Sequence, residues 1–268
     1  MITFYLVLFG LMGTSILAFF SSLFGWLSKS GAWAMVILGT AIFALSPAMA
    51  LYLLLFFSSS YLLQAIKKHG ASPLVSDKDG PRDAWQVLAN CGPLLIFLLL
   101  EVLSEDPRFV LCQISVIAAA CADTCSSEIG VLSRRPPRLL FSFKVAPAGL
   151  SGAISLVGLL AGALGSALIA FTWWLPHFLF LPQTKIVTGL LVWLLGFIGT
   201  VLDSMLGATF QVKYRDATGA LTDKKKEKNL QNSYVAGIPH FTNDGVNFAT
   251  GLLTGALAFF LQTFLSVK

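Results

Sequence analysis

Phe109-Val-Leu-Cys-Gln-Ile-Ser-Val-Ile-Ala-Ala-Ala-Cys-Ala-Asp123-Thr-Cys-Ser-Ser-Glu128-Ile-Gly130 is long and apolar enough to cross a bilayer, yet it carries two carboxylates. A membrane helix needs about 20 largely apolar residues. A charge held in lipid is costly, so acids inside such a segment mark a functional site by default. Two further acids, Asp203 and Asp244, stand inside or at the mouth of other apolar runs. Uncharged polar residues accompany all four: Thr124, Ser126, Ser127, Ser204, Asn243 and Asn247.

The rest of the chain fits this reading. Its 268 residues are 56% hydrophobic and only 12% charged, where soluble domains carry about 25% charge. The apolar runs are continuous, not alternating, which excludes a transmembrane β-barrel. The expectation is all-α: one polytopic transmembrane helical bundle over residues 1–268, with no separate soluble domain. Spans are expected at 2–24, 32–46, 48–66, 84–103, 109–130, 148–172, 186–209 and 246–265. Only Ser46-Pro47 divides the second from the third, so six to eight spans are compatible with the pattern. No Lys or Arg precedes Lys29, so the first run lacks the basic region of a signal peptide and reads as a retained span.

Three loops, 67–83, 131–147 and 210–245, hold 14 of the 18 Lys and Arg residues. With the spans as placed, all three lie on one side, and the positive-inside rule makes that side cytoplasmic. Lys29 joins them, while Arg108, Lys185 and Lys268 fall opposite. Topology thus accounts for the net charge of +5 without a nucleic-acid partner. In the longest loop, Asp216–Gly219 reads as a turn between two short extended pieces, and the Lys224–Lys228 run reads as a solvated, lipid-facing surface. The four cysteines read as reduced, packed thiols. Gly158, Gly162 and Gly165, Gly196 and Gly199, and Gly251 and Gly255 have the spacing that lets membrane helices pack closely.

Depth tests the polar groups further. Asp123 lies eleven residues before Arg134 and Asp203 ten before Lys213, so both sit roughly 15 Å in from the basic loops. Asp244 and Asn247 open the last span from the same side. Asp83, Gln86 and Asn90 open the fourth on one helix face. These groups are expected to converge on one pocket open to the cytoplasm. Acids gathered there need a cation, and oxygen ligands favour Mg²⁺, with Asp123, Asp203 and Asp244 as its ligands. A phosphorylated ligand follows, with Arg82 and Lys144 as its cations. The Gly149-Leu-Ser151-Gly152 turn is expected to offer backbone amides at a helix N-terminus. His240 reads as a loop histidine, as do His69 and His177, and Glu101 as an acid reaching the outer interface. There is no G-x-x-x-x-G-K-[ST], G-x-S-x-G or H-E-x-x-H motif.

Ala122-Asp-Thr-Cys-Ser-Ser-Glu-Ile-Gly130 resembles the A-D-T-x-A-S-E-[LI]-G signature of the membrane family that includes transmembrane protein 19 and plant phytyl-phosphate kinase. Gly25–Gly31, Gly80–Asn90, Ser151–Ser155, Leu202–Gln211 and Asn243–Asn247 match it in order over nearly the whole chain. Cys125-Ser126 departs from the family's usual Trp-Ala at this point. The segment Asp123–Gly130 is also similar to the short acidic motif G-D-x-x-A-S-x-x-G of CTP-dependent membrane transferases, such as dolichol kinase, phytol kinase and the CDP-diacylglycerol synthases. The resemblance implies Mg²⁺-dependent phosphoryl transfer from a nucleotide, CTP first, to an isoprenyl or polyprenyl monophosphate. It implies Asp123, Asp203 and Asp244 on Mg²⁺–nucleotide, Glu128 as an accessory acid, and Asn90, Asn243 and Asn247 orienting oxygens. The acceptor lipid and the homo-oligomeric state stay open. A transporter or flippase for a phosphorylated lipid or a cation, and a scaffold whose acids make structural hydrogen bonds, are the alternatives.

Overall fold

The computed structural model describes residues 2–70, 80–180, 186–227 and 230–266. Eight helices form in order: α1 (Ile2–Leu23), α2 (Lys29–Leu45), α3 (Pro47–Gly70), α4 (Ala84–Ser104), α5 (Arg108–Gly130), α6 (Leu156–Phe180), α7 (Ile186–Thr209) and α8 (Asn243–Ser266). All except α2 are long and apolar enough to cross a membrane. Lys78, Lys185, Lys228 and Lys268 lie outside the described residues.

The second helix is short, at 17 residues, or about 25 Å, but it runs the length of α4. At one end Ser28 N donates to Arg82 O at 3.0 Å and Arg82 N to Trp26 O at 2.9 Å. At the other, Leu45 and Ser46 share a cavity with Leu98, Glu101 and Val102. Along its other side it pairs antiparallel with α1: Thr14 Oγ1 meets Thr40 Oγ1 at 3.0 Å, and Gly10 sits against Phe43. Ser46-Pro47 separates α2 from α3 for a local reason. Proline disfavours helical backbone in the residue before it, and Ser46 Oγ accepts from Met49 N to start the next helix.

α5 is the hub, touching α3, α4, α6, α7 and α8. It is the most enclosed span, which is where a helix rich in Cys, Ser, Thr and acids avoids lipid. Small residues bring its neighbours close. Gly158, Gly162 and Gly165 of α6 pack on Ser126, Ala122 and Cys125, while Gly196 and Gly199 of α7 pack on Ala118 and Ala119. Gly251 and Gly255 of α8 meet Pro93 and Phe97 of α4. The glycine spacings thus serve helix packing. All four cysteines are buried and free.

The sixth span starts later than expected, at Leu156, and runs to Phe180. Gly149 and Gly152 take positive φ of 83° and 80°, which breaks the helix. Ala153–Ile154 (β2) instead pairs antiparallel with Arg138–Leu139 (β1). Ser155 is the true cap, its Oγ accepting from Gly158 N at 3.0 Å. The longer helix absorbs His177, read as a loop residue, and its Nδ1 lies 2.7 Å from Trp173 O. His69 likewise belongs to α3.

The loop after α7 folds into short strands: β3 (Lys213–Arg215), β4 (Leu221–Thr222), β5 (Lys226–Glu227), β6 (Leu230–Gln231) and β7 (Ser233–Ala236). A small sheet has the order β4-β3-β7. The expected turn forms between β3 and β4. Asp216 Oδ1 accepts from Thr218 N at 2.8 Å and Ala220 N at 2.9 Å, and Gly219 takes φ 87°.

Candidate functional site

Four helices bring oxygen-bearing side chains to one small cavity of about 20 Å³. Asn90 comes from α4, Asp123 from α5, Asp203 from α7, and Asn247 and Thr250 from α8; Ala89, Pro93, Val116, Ala119, Ala120 and Gly251 complete the lining. The polar residues lie one to two turns in from the helix ends nearest the basic loops, roughly 6–10 Å deep. A single water needs about 10–15 Å³, so the space suits one water or one ion. Thr250 Oγ1 donates to Asp203 Oδ2 at 3.3 Å. Assigned by its partners, the Asn247 amide nitrogen donates to the same oxygen at 3.0 Å and to Asn243 O at 3.2 Å. Asn90 Nδ2 donates to Gln86 O at 2.9 Å.

Among the described residues no Lys or Arg lines the cavity. Asp123 and Asp203 both line this half-open space, and acids close to one another favour a proton or a cation nearby. The donor set is all oxygen, which fits a hard divalent cation such as Mg²⁺, held by one or two carboxylates and completed by water or phosphate. Among the described residues no group of three or more His, Cys, Asp or Glu is arranged to hold a metal. Asp244 is not among the lining residues. It stands one turn above Asn247, in the first turn of α8, where an acid also complements the helix dipole.

Glu128 is separated from this cavity, a departure from the single expected pocket. Five helix positions place it about 140° around α5 from Asp123. It is buried, and its charge acts on Arg82. Arg82 turns inward, donating Nη2 to Ser60 Oγ and lying over the rings of Phe57 and Tyr61 at 5.8 and 5.3 Å. Among the described residues its buried Nη1 has no hydrogen-bond acceptor. Burial pulls the Arg82 pKa down, and the neighbouring Tyr61 and Glu128 oppose that shift. The bundle therefore has two polar centres, one on each side of α5.

Other expected site residues have structural partners. Asp83 and Gln86 form a capping box on α4: Gln86 N donates to Asp83 Oδ1 at 3.0 Å and Asp83 N to Gln86 Oε1 at 3.2 Å. Ser151 and Gly152 do not open a helix. Ser151 N donates to Asp223 Oδ2 at 2.9 Å, and Gly152 packs on Ala208. Lys144 is exposed on the 139–144 turn. Glu101, expected to reach the outer interface, accepts from Gln113 Nε2 of α5.

Thr250 joins the cavity and Ser60 the Arg82 centre without having been expected, and Lys213 and Asp223 are buried or paired at the loop after α7. Thr250 lies three residues after Asn247, a spacing that could have revealed it. Lys213 is buried and caps the end of α7, donating Nζ to Gly207 O at 2.7 Å and Ala208 O at 3.0 Å. Burial lowers its pKa, and Asp223 opposes that shift.

An all-α polytopic bundle around a half-buried acidic centre defines an integral membrane protein with a polar site one to two turns below its basic face. Residues 12–255 match the family described as integral membrane protein DUF92, and the chain belongs to that family. It is 30% identical over 232 residues to Protein PGR of Arabidopsis thaliana, covering 78% of this chain and 79% of that protein. It is also 39% identical over 132 residues to an uncharacterised membrane protein of Methanocaldococcus jannaschii, covering 49% of this chain and 52% of that protein. No solved structure matches the chain.

Proposed function

We propose that the protein transfers a phosphoryl group from a nucleoside triphosphate, CTP first, to an isoprenyl-type lipid monophosphate at the basic face of the membrane. The observation that carries this reading is the convergence of Asp123 and Asp203, with Asn90 and Asn247, on a cavity sized for one ion. Phosphoryl transfer asks mainly for positioning and charge neutralisation. Bound Mg²⁺ would supply the charge that polarises the donor phosphate.

In this reading Asp123 and Asp203 hold the ion, and Asn247 and Thr250 fix the Asp203 carboxylate. Asn90 orients an oxygen in the same shell, and Asp244 and Asn243 stand at the mouth. Arg82, expected to neutralise a phosphate, turns inward onto α3 on the other side of α5 and has no part in this step. That phosphate is already an anion at neutral pH, so it needs no strong base. Its oxygen forms a bond to the terminal phosphorus of the triphosphate as the bond to the bridging oxygen breaks. The products are a lipid diphosphate and a nucleoside diphosphate.

The Lys and Arg residues gathered in loops 67–83, 131–147 and 210–245 support a cytoplasmic position for this face. The test uses purified protein with Mg²⁺, a set of nucleoside triphosphates and a set of isoprenyl monophosphates, followed by mass spectrometry of the lipid. A lipid diphosphate that disappears in a folded Asp123→Asn variant is expected. No product from any pair, with lipid-phosphate or cation flux in proteoliposomes, would replace this reading with transport.

A further inference from the structure

Between α5 and α6, the turn at 139–144 exposes the wrong residues for a water-facing loop. Phe141 is 58% exposed, Phe143 66% and Val145 60%. Phe143 also takes φ 54°, a left-handed conformation unusual for a bulky side chain. The turn is closed by Leu139 N to Lys144 O at 2.9 Å and Phe143 N to Leu139 O at 2.9 Å, and Arg138 Nη1 donates to Phe143 O at 2.7 Å. The arginine therefore holds the strained turn that presents the ring.

We infer that this hairpin is a membrane-surface anchor whose Phe141 and Phe143 enter the acyl boundary of the adjacent leaflet while its basic residues meet anionic headgroups. Charge complementarity favours lipid as the occupant. Arg134, Arg135 and Lys144 of the same loop are exposed, and aromatic residues interleaved with Lys and Arg are the composition of interfacial anchors. Proximity favours it too. The hairpin springs from Gly130 at the end of one span and returns to Leu156 at the start of the next, so the bilayer surface is always within its reach. This inference is independent of the chemistry proposed for the buried site.

The experiment places a nitrobenzoxadiazole label on Ser142→Cys in full-length protein. The native cysteines are buried, so the tip thiol labels selectively. Emission and quenching by lipids nitroxide-labelled near the headgroup are read in phosphatidylcholine vesicles with and without phosphatidylglycerol. Blue-shifted emission and strong quenching in anionic vesicles are expected, weakening with added salt. Each charge removed, by Lys144→Gln or Arg135→Gln, should lower the docked-to-free ratio about fivefold. Phe143→Asn, which tolerates the left-handed backbone, should abolish docking while keeping the turn. A label that stays water-exposed in both vesicles overturns the inference. So does a blue-shifted label that lipid nitroxides do not quench, which would mean contact with protein.

Discussion

The Asn247 amide nitrogen stands 3.0 Å from Asp203 Oδ2, so α8 orients a carboxylate that α7 supplies. Such supporting partners typically change metal affinity by about 10–100-fold. Asn247→Ala is therefore expected to raise the Mg²⁺ concentration needed for half-maximal thermal stabilisation by about that factor, with the fold intact. Asn247→Asp adds a third acid to the cavity and should bind divalent cations more tightly. Equal Mg²⁺ responses in wild type and both variants would remove Asp203 from the ion site.

Mg²⁺ itself should stabilise the protein. An ion bound only by the folded state at about 100 times its Kd adds about 2.7 kcal/mol. Melting followed by tryptophan fluorescence should rise with Mg²⁺ and fall with chelator, and Asp123→Asn should erase the difference. A chelator-insensitive melt in wild type would argue that protons, not a cation, neutralise the acid pair.

Gly152 is fixed by both conformation and space. Its φ is 80°, and an added Cβ would come 2.5 Å from Ala208 Cα. Gly152→Ala should destabilise by about 1–3 kcal/mol, reported as a lower denaturation midpoint. Gly149→Ala, with positive φ but open space around it, should cost less. Equal losses would mean that backbone conformation alone, not the packing on α7, sets the effect.

Asp223 ties the loop after α7 to the loop before α6 by accepting from Ser151 N. Removing the acceptor leaves a partly buried amide unpaired, a cost of about 1–3 kcal/mol. Asp223→Ala should increase hydrogen exchange at Ser151 and protease cutting in 210–245, while Asp223→Asn, which keeps an acceptor oxygen, should largely restore protection.

Asp216 gives a pH dependence with a defined sign. Hydrogen bonds from Thr218 and Ala220 hold its carboxylate below the ordinary 3.8. Turn protection is therefore complete above 3.8 and is lost as pH falls through the lower folded-state value. Amide exchange at Thr218 and Ala220 should follow that course, and Asp216→Asn should flatten it.

Long apolar runs made the helices legible, because lipid demands them whatever the packing. The sixth span was misplaced because Ala148, Leu150, Ala153 and Ile154 are apolar but serve a turn and a strand, and only the positive φ of two glycines reveals the break. Depth along each helix is the property that groups Asp123, Asp203, Asn90 and Asn247, which line one cavity nearer the helix ends than the roughly 15 Å expected. Rotation about the helix axis is what depth omits, and it sends Glu128 to the side of Arg82. The Ser151–Asp223 pairing joins residues 72 apart. It depends on how two loops fold over α7, which no local pattern encodes.

The enclosure of α5 has a consequence for synthesis. The ribosome delivers this helix, with both of its acids, before α6, α7 and α8 exist to cover it. An acid at the centre of a membrane helix raises the cost of insertion by about 2.5–3.5 kcal/mol on biological scales, and Asp123 and Glu128, nearer the end of α5, raise it by less. α5 must then wait beside the earlier helices until its later neighbours arrive. Completion of α6, α7 and α8 is thus the step that covers the acids of α5, and a chain stalled before them would leave those acids uncovered.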